Sequence, residues 1–385
     1  MFQKAYTFDD VALVPQYNTI KSRTDPVLYT WLTKNIRINN PLIPANMDTV
    51  ISVEMAKVIV DNGGIPIFHR FCSIDEQIDF CKSFQNNCFV SCGLNDYEKL
   101  DELYKHGALG VCIDVAHGHS EQVISLVKKL KARHPNKDII AGNVCTVSGY
   151  SDLVFAGADA VKVGVGPGAA CSTRMVTGFG VPQFTAIYEI SKLVKTLKVP
   201  IIADGGIRNS RDVALALAAG ASCCMIGSLF SKTFESAGDK FILNKKYNES
   251  VNADDNTADN TADNTADNKY LKIHKSTIQD YINKSNNPIS PMICVEPIYT
   301  MYRGQASESF QTDYYGFVKK GTVPEGICFY SLCLGTTQML IDELTGGLRS
   351  ALTYSGSFNI KEFQKNAVFV EVTNTYIDES NPRKQ

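Results

Sequence analysis

Residues 200–228 read PIIADGGIRNSRDVALALAAGASCCMIGS and contain one complete unit of a pattern that runs through the chain. Two short apolar runs, Pro200–Gly205 and Cys223–Ser228, flank the stretch Asn209–Ala219, whose apolar residues recur at helical spacing. Parallel strands need a crossover connection of this length, usually a helix. The segment therefore predicts two parallel strands joined by a helix.

The same alternation extends towards the N-terminus, where six further apolar runs are separated by segments long enough for a helix. These runs are Leu42–Met47, Gly64–His69, Cys88–Gly93, Leu109–Val115, Asp138–Val144 and Ala160–Val165. Eight strand–helix units favour a closed (β/α)8 TIM barrel over an open doubly wound sheet, which usually has fewer strands. We therefore expect an α/β barrel.

Polar or glycine-rich residues follow seven of the eight predicted strands. They are Asn46–Asp48, His69–Arg70, Asp114, Asn143, Gly164–Cys171, Asp204–Gly206 and Gly227–Ser228. Taken singly, each is an ordinary turn residue. Because barrel enzymes build their sites at the carboxyl ends of the strands, the set together predicts a functional site there.

Composition limits the class of partner. The chain has 38 Lys and Arg against 40 Asp and Glu, a net charge of −2, so no general basic field exists for nucleic acid or anionic lipid. We find no apolar run of the ~18 residues that a membrane helix needs, and no signal peptide. Twelve cysteines without C-x-x-C pairs suit a reducing compartment. We expect a cytoplasmic protein with a small-molecule ligand.

Two segments interrupt the pattern. Residues 239–301 form an insertion that contains the repeat ADDNTADNTADNTADN at 253–268, which is too polar to fold and should be a disordered surface insertion. Residues 302–326 have the composition of an extended flap after the eighth strand. The barrel itself is expected to comprise residues 1–238 and 302–385.

The densest chemical signal is KVGVGPGAACSTRMVTGFG, residues 162–180. It is not a dinucleotide fingerprint, because the third glycine would fall at Ala169, and it is not a phosphate-binding Walker loop. The glycine turn leaves carbonyl groups free for a cation and presents Cys171 at the barrel mouth. With Thr173 and Arg174 beside it, Cys171 is the candidate nucleophile; the alternative is an inert, small hydrophobic residue.

The last two strands end in a candidate anion site. Backbone N–H groups at Gly206, Gly227 and Ser228 could bind a phosphate, and Asp204 suits a pair of ribose hydroxyls. These residues predict a nucleotide monophosphate as ligand. The alternative is that the glycines merely relieve packing.

Three weaker signals remain. Asp114 with His117 and His119 is poor evidence for a metal, because a third ligand is missing from the sequence pattern. Asn143 ends the fifth strand, where it either contacts a second ligand or is a satisfied turn amide. Glu325 closes the flap segment and could carry a carboxylate onto a bound base, although a glutamate at such a position is, taken alone, more often a solvated turn residue.

Taken together, TFDDVALVP, IPANMDTV, IDVAHGHS, AGNV, KVGVGPGAACSTR, IIADGGIR, YRGQ, VPEG and GGLRSALTY resemble the motifs of the IMP dehydrogenase/GMP reductase family. The resemblance covers nearly the whole chain except the repeat. It implies a barrel, commonly a homotetramer, that binds a purine nucleotide covalently through its loop cysteine. It also implies hydride exchange with a nicotinamide cofactor, here NADPH, and a monovalent cation such as K+.

Carried over residue by residue, the resemblance implies three groups of site residues. The catalytic residues would be Cys171, Thr173 and Glu325, and the substrate would contact Asp204, Gly206, Gly227, Ser228, Tyr302 and Gly326. The cofactor would contact Ser22, Arg23, Arg70, Asp114, Val115, Ala116 and Asn143. The cation would lie on the loop at Gly166, Gly168, Cys171 and Arg174. Two positions depart from the family pattern: Ala169 replaces a phosphate-binding serine of the dehydrogenases, and Arg70 replaces a lysine.

The two branches of the family differ in the fate of the covalent intermediate. Dehydrogenases hydrolyse it with an Arg–Tyr pair on the flap, whereas no arginine occurs here between Arg303 and Glu325. Many dehydrogenases also carry a regulatory module after the second strand, which this chain lacks. Both points favour NADPH-dependent conversion of GMP to IMP, although VPEG and GGLRS look like a bacterial dehydrogenase. An NAD-dependent IMP dehydrogenase and a non-catalytic nucleotide-binding scaffold are the alternatives.

Overall fold

The computed structural model describes residues 4–244, 270–274, 278, 297–318, 320–373 and 375–380. Eight parallel strands form the predicted barrel, and each lies within or coincides with a predicted strand. Their bounds are Leu42–Pro44, Ile67–Phe68, Phe89–Cys92, Gly110–Asp114, Asp138–Val144, Ala160–Val163, Ile201–Asp204 and Cys223–Ile226. The (β/α)8 fold class is therefore confirmed.

The strands pair in chain order around the barrel. The ladder runs from the second strand to the eighth, and the eighth then pairs with the first through Cys224 and Leu42. Within the described residues, the single gap in the ladder lies between the first and second strands. All eight carboxyl ends consequently lie at one mouth of a nearly closed cylinder.

Helices cover the outside of the barrel. The main ones are Val53–Asp61, Ile74–Ser83, Leu100–Lys105, Glu121–Arg133, Val147–Ala156, Gln183–Leu197, Ser210–Ala218 and Thr337–Tyr354. Short polar side chains fix several of their starts: Ser73 accepts from the backbone N–H of Glu76 while the Glu76 carboxylate accepts from the N–H of Ser73. Such a capping box satisfies N–H groups that have no partner within the helix.

The core has two layers. Side chains inside the cylinder include Ile43, Phe89, Ile140, Ile202 and Met225, and the larger layer lies between the strands and the helices. This division follows from the alternation of side chains along each strand. The hairpin Thr30–Trp31 and Arg37–Ile38 closes the end of the barrel where the strands begin.

Several elements lie outside the repeating pattern. Short helices cover Thr173–Thr177, Ser228–Ser231, Ile360–Asn366 and Thr375–Ser380, 3-10 turns cover Phe8–Asp10 and Tyr97–Lys99, and Val11–Leu13 pairs with Phe369–Glu371. A four-stranded antiparallel sheet joins Lys240–Leu243, Tyr270–Lys272, Ile298–Arg303 and Cys328–Leu332. The sequence pattern did not predict this sheet.

The described ends of the 239–301 segment thus contribute strands, while the repeat at 253–268 lies outside the described residues. The flap contains the helix Glu308–Tyr315. Across the described portions of the chain, no helix combines the length and the apolar character needed to cross a bilayer.

Candidate active site

A cavity of about 420 Å³ opens at the carboxyl ends of the barrel strands. It brings together residues from four predicted motifs that are far apart in the chain. Its lining includes Gly168, Cys171, Thr173, Asp204, Gly206, Gly227, Ser228, Tyr302 and Glu325. The predicted nucleophile, anion site and flap carboxylate therefore line one cavity.

Cys171 lies on a tight loop that follows the sixth strand. Its backbone N–H donates to the Gly168 carbonyl at 3.0 Å, and its Sγ lies 3.2 Å from the Thr173 Oγ1. Among the cysteines in the described residues, Cys171 alone is exposed, whereas burial raises the pKa of the fully buried Cys112 to about 12. The exposed thiol is thus the one that a ligand in this cavity can reach.

Arg174 stabilises this loop through hydrogen bonds to two backbone carbonyl groups. Its guanidinium donates to the Val165 carbonyl at 3.2 Å and to the Val181 carbonyl at 2.6 Å. Gly166 has a φ of +83°, and a Cβ there would lie 2.5 Å from Arg174 Cγ, so only glycine fits. The predicted cation residues are therefore neighbours, but the side chain of Arg174 is already occupied by carbonyl groups.

The flap is bonded to the cysteine loop through the backbone. Ser172 N–H donates to the Glu325 carbonyl at 2.9 Å, and Gly326 forms an antiparallel bridge with Cys171. The adjacent residue, Glu325, lines the cavity. The sequence placed Glu325 and Gly326 at the end of the flap, and the structure places both beside the loop that carries Cys171.

The candidate anion site lines the same cavity as Cys171. Gly205 and Gly206 have φ values of +90° and +79°, and Ser228 begins a short helix after Gly227. Tyr302 covers Gly227 so closely that a Cβ on this glycine would lie 2.4 Å from the tyrosine hydroxyl. Burial, followed by the nearby charges of Asp204 and Cys171, raises the pKa of Tyr302. The tyrosine therefore stays a neutral hydrogen-bond donor.

A second cavity, of about 310 Å³, adjoins the first and shares its Asp204 wall. The lining includes five of the residues predicted to bind cofactor, namely Arg70, Asp114, Val115, Ala116 and Asn143. Asn143 donates from Nδ2 to Asp204 at 2.8 Å and to the Gly164 carbonyl at 2.9 Å. Its Oδ1 and the Arg70 Nε are buried without a hydrogen-bond partner. Both atoms are thus available to a polar ligand.

The remaining two predicted cofactor residues, Ser22 and Arg23, line neither cavity. Arg23 Nη2 lies 3.5 Å from the hydroxyl of Tyr354 and its guanidinium lies over that ring, while Ser22 bonds to Thr24 at 2.7 Å. Within the single chain, therefore, the structure does not bring these two residues to the site.

The two histidines that follow the fourth strand do not form a metal site in the described residues. His119 Nε2 lies 2.8 Å from an oxygen of Asp152, and His117 is exposed. In the part of the chain that the structure describes, no three His, Cys, Asp or Glu side chains are grouped closely enough to hold a metal ion.

Sequence reasoning missed Lys162, which is 2% exposed and lines the second cavity. Its Nζ is 3.0 Å from Asp204 Oδ2 and 3.4 Å from Asp114 Oδ1. Burial lowers the pKa of Lys162. The nearby Asp204, Cys112 and Asp114 raise this pKa by more than burial lowers it, so the net shift is upward. The sequence signal that could have identified Lys162 was its position within an otherwise apolar strand, AVKV.

Sequence reasoning also missed how Arg303 attaches the flap. Its Nη2 and Nε donate to Asp48 Oδ2 at 2.7 and 3.0 Å, and its Nη1 pairs with Asp313 of the flap helix. On the same helix, the ring of Phe310 lies 4.6 Å from that of Phe71, which lines the second cavity. The flap helix is therefore a packed wall of the site.

Comparison with known proteins assigns nearly the whole chain to the family that its sequence motifs resemble. The family described as "IMP dehydrogenase / GMP reductase domain" matches residues 5–291 and 285–383. An inosine-5'-monophosphate dehydrogenase of Borreliella burgdorferi is 33% identical over 99% of this chain and 97% of its own length. A second, from Cryptosporidium parvum, is 31% identical over 98% of this chain and 94% of its length. A GMP reductase of Caenorhabditis elegans is 31% identical over 95% of this chain and 91% of its length. The chain belongs to the IMP dehydrogenase/GMP reductase family of oxidoreductases.

Proposed function

We propose that this protein catalyses the NADPH-dependent reductive deamination of GMP to IMP, with release of ammonia. The observation that carries the proposal is the exposed Cys171 thiol, hydrogen-bonded to Thr173, in a cavity whose flap has no uncommitted arginine. The only arginine of residues 302–326, Arg303, is held by Asp48 and Asp313.

In the first half of the reaction, the Cys171 thiolate adds to C2 of the guanine ring, and the C2–N bond to the exocyclic amino group breaks. Thr173 and Glu325 deliver the proton that lets nitrogen leave as ammonia. The product is a thioimidate that joins Cys171 Sγ to C2. The 3.2 Å contact between Cys171 and Thr173 and the position of Glu325 in the same lining support these roles.

The nucleotide is held by residues of the last two barrel strands and of the flap strand. Asp204 accepts hydrogen bonds from the ribose hydroxyls, and the N–H groups of Gly206, Gly227 and Ser228 with the Tyr302 hydroxyl bind the phosphate. Gly326 allows the flap backbone to approach the base. Because Ala169 offers no hydroxyl, backbone donors carry most of the phosphate binding.

The second cavity is the proposed site of the nicotinamide. The buried, unpartnered Asn143 Oδ1 and Arg70 Nε fit the carboxamide and phosphate groups of such a cofactor, and Asp114, Val115 and Ala116 complete the wall. When bound there, NADPH supplies the hydride for C2 of the thioimidate, which lets the C2–S bond break and returns Cys171 as thiolate. Ser22 and Arg23 would reach a cofactor only from a neighbouring subunit.

A monovalent cation and a homotetramer are part of the proposal. The carbonyl groups of Gly166, Gly168 and Cys171 are the hard oxygen donors that K+ prefers, with Arg174 fixing the loop around them.

Met175 is 90% exposed and Phe179 76% exposed on the segment that follows the loop. Apolar side chains exposed to this degree are typical of a surface that another subunit covers.

The proposed domain organisation follows the same division. Residues 1–238 and 302–385 make the catalytic barrel with its flap, and residues 239–301 are an insertion. Within the described residues, Lys240–Leu243 pairs with Tyr270–Lys272 on one side and with Ile298–Arg303 on the other, and none of these three strands pairs with a barrel strand, which supports an insertion outside the barrel.

The second candidate is an NAD-dependent IMP dehydrogenase, in which Cys171 would add to C2 of IMP, the hydride at C2 would pass to NAD+, and water would then cleave the C2–S bond to give XMP. The names of the relatives favour this candidate, since most are dehydrogenases. Nor does length separate the branches, because the Borreliella dehydrogenase is covered over 97% of its length. Against it stands the lack of a flap arginine to activate water. A nucleotide-binding scaffold without turnover is a third candidate, and the assembled Cys171, Thr173 and Glu325 disfavour it.

A turnover assay in both directions tests the proposal. Purified protein should oxidise NADPH only when GMP is present, release one ammonia for each NADPH, and lose this activity in Cys171→Ala. Reduction of NAD+ with IMP and formation of XMP would establish the dehydrogenase instead. Nucleotide binding without either turnover would establish the scaffold.

A further inference from the structure

The end of the barrel opposite the active site carries a cavity of about 350 Å³. Pro200 and Ser222 line it, and each immediately precedes a barrel strand. The active-site residues Asp204 and Gly227 lie at the other ends of these same strands. The cavity is therefore separate from the site described above and is independent of the proposed reaction.

An aromatic wall forms one side of this cavity. It includes Trp31, the only tryptophan of the chain, which remains 46% exposed. Tyr29 lies on the same segment, and the guanidinium of Arg37 stacks on its ring at 4.2 Å from the centroid. A large, water-exposed indole in a concave wall offers a flat face to another planar ring. The wall therefore suits a heteroaromatic ligand.

Three lysines also line this cavity. Lys34, Lys198 and Lys361 all line it, and its lining contains no Asp or Glu among the described residues. Lys34 pairs with Asp159 at 3.0 Å, whereas no carboxylate of the described residues pairs with Lys198 or Lys361. Two uncompensated ammonium groups beside a cavity favour an anion with several charges, such as a polyphosphate.

We propose that this cavity binds a nucleoside polyphosphate, with the base against Trp31 and the phosphates between Lys198 and Lys361. The combination of a planar aromatic face and paired cations in a cavity of small-ligand size supports this class. An inorganic polyphosphate would use the lysines alone, and a nucleoside would use the aromatic wall alone. The two halves of the ligand can therefore be tested separately.

The single tryptophan provides the readout. Titration of the full-length protein with ATP and with GTP should change Trp31 fluorescence saturably, and equilibrium dialysis should give one such site per chain. The double variant Lys198→Ala/Lys361→Ala should weaken the affinity by about tenfold or more, because it removes two charge-assisted contacts. Lys195 and Lys365 belong to the same two helical segments but lie outside the cavity lining, so Lys195→Ala/Lys365→Ala is the matched control and should bind as the parent does.

Three results would overturn the proposal. Dialysis detects a bound nucleotide even where the fluorescence is silent, so the absence of binding in both measurements excludes a nucleotide here. An unchanged affinity in the Lys198/Lys361 variant places any binding elsewhere on the protein. Displacement of ATP by tripolyphosphate at equal affinity identifies an anion patch that does not recognise the base.

Discussion

The Lys162 ammonium lies 3.0 Å from Asp204 Oδ2 on the inside of the barrel, where Lys162 lines the second cavity. Asn143 donates to the same oxygen at 2.8 Å. One oxygen of Asp204 is therefore occupied by the protein, which leaves the other to face a ligand. Lys162 thus acts as a positioning residue for the carboxylate that we assign to the ribose.

Replacing this lysine should destabilise the fold. In Lys162→Met, the carboxylates of Asp114 and Asp204 lose their shared cation, and leaving buried charge unpaired costs ~3–5 kcal/mol of unfolding free energy. Urea denaturation measures this loss, and Lys162→Arg, which keeps the charge, should recover part of it. A loss below ~0.5 kcal/mol in Lys162→Met would show that the ion pairs are unimportant.

The raised pKa of Lys162 fixes the sign of its pH dependence. A lysine whose pKa is higher in the folded state contributes its full stabilisation below its unfolded value of about 10.4, and loses it only as the pH rises through the folded value. The difference in stability between parent and Lys162→Met should therefore stay constant from neutral pH down to the range in which the carboxylates titrate. Denaturation of both proteins across this range checks the prediction.

His69 should make the protein less stable in mild acid. Burial lowers the pKa of His69 despite the opposing charges of Asp48, Glu76 and Asp114, and its Nδ1 has no hydrogen-bond partner. The unfolded chain therefore binds a proton more readily than the folded one, and stability falls as the pH drops below about 6.5. Denaturation at a series of pH values should show a shallower fall in His69→Asn. The same replacement at the exposed His117 is the control, and equal slopes in all three proteins would refute the assignment.

Thr173 can be tested without disturbing the fold. Thr173→Val keeps the shape of the side chain but removes the hydroxyl 3.2 Å from Cys171 Sγ, so kcat should fall by about 100-fold or more if this group delivers a proton. Thr173→Ser should restore most of the rate. Steady-state kinetics at saturating substrates measure both variants, and full activity in Thr173→Val would remove the residue from the mechanism.

The two carboxylates that hold Arg303 should differ in importance. The side chain of Asp48 is 13% exposed and that of Asp313 62% exposed. Asp48→Asn should therefore cost ~3 kcal/mol and loosen the flap helix, whereas Asp313→Asn should cost less than ~1 kcal/mol. Limited proteolysis reports flap loosening directly. Equal protease sensitivity of the two variants would contradict this account of the flap.

Two adjacent glycines in the helix Thr337–Tyr354 give a matched test of packing. A Cβ on Gly346 meets no atom within 4 Å, whereas one on Gly347 would lie 2.3 Å from Ser210 Cβ on the neighbouring helix. Gly346→Ala should stabilise the protein by ~0.5–1 kcal/mol, and Gly347→Ala should destabilise it. Thermal denaturation separates the two, and a shift of the same sign in both would contradict the close contact between these helices.

The barrel was predictable because its signal is local. Each strand shows as an apolar run, and most crossover helices follow a polar capping residue such as Ser120 or Asn209, so bounds such as Asp138–Val144 agree between sequence and structure. The chemistry at the strand ends was predictable for the same reason. Asp204 and Gly227 occur where a strand stops and Cys171 occurs in the loop that follows one, and closure of the barrel brings the three together.

What the sequence did not reveal depends on contacts between distant residues. Arg303 meets Asp48 across 255 positions, and Lys162 meets Asp114 across 48, so neither pair leaves a periodic pattern. The four-stranded sheet is similar, because its strands Lys240–Leu243 and Ile298–Arg303 pair across the insertion. Ser22 and Arg23 were assigned by resemblance alone, and folding of one chain leaves Arg23 beside Tyr354 and away from the cavities.

If Cys171 carries the purine ring during turnover, rapid acid quench followed by peptide mass spectrometry will detect the bond. During steady-state turnover with GMP and NADPH, the peptide that contains Cys171 should carry a nucleotide adduct that disappears when substrate is exhausted. Turnover without any adduct on Cys171, or undiminished turnover in Cys171→Ala, would contradict the account.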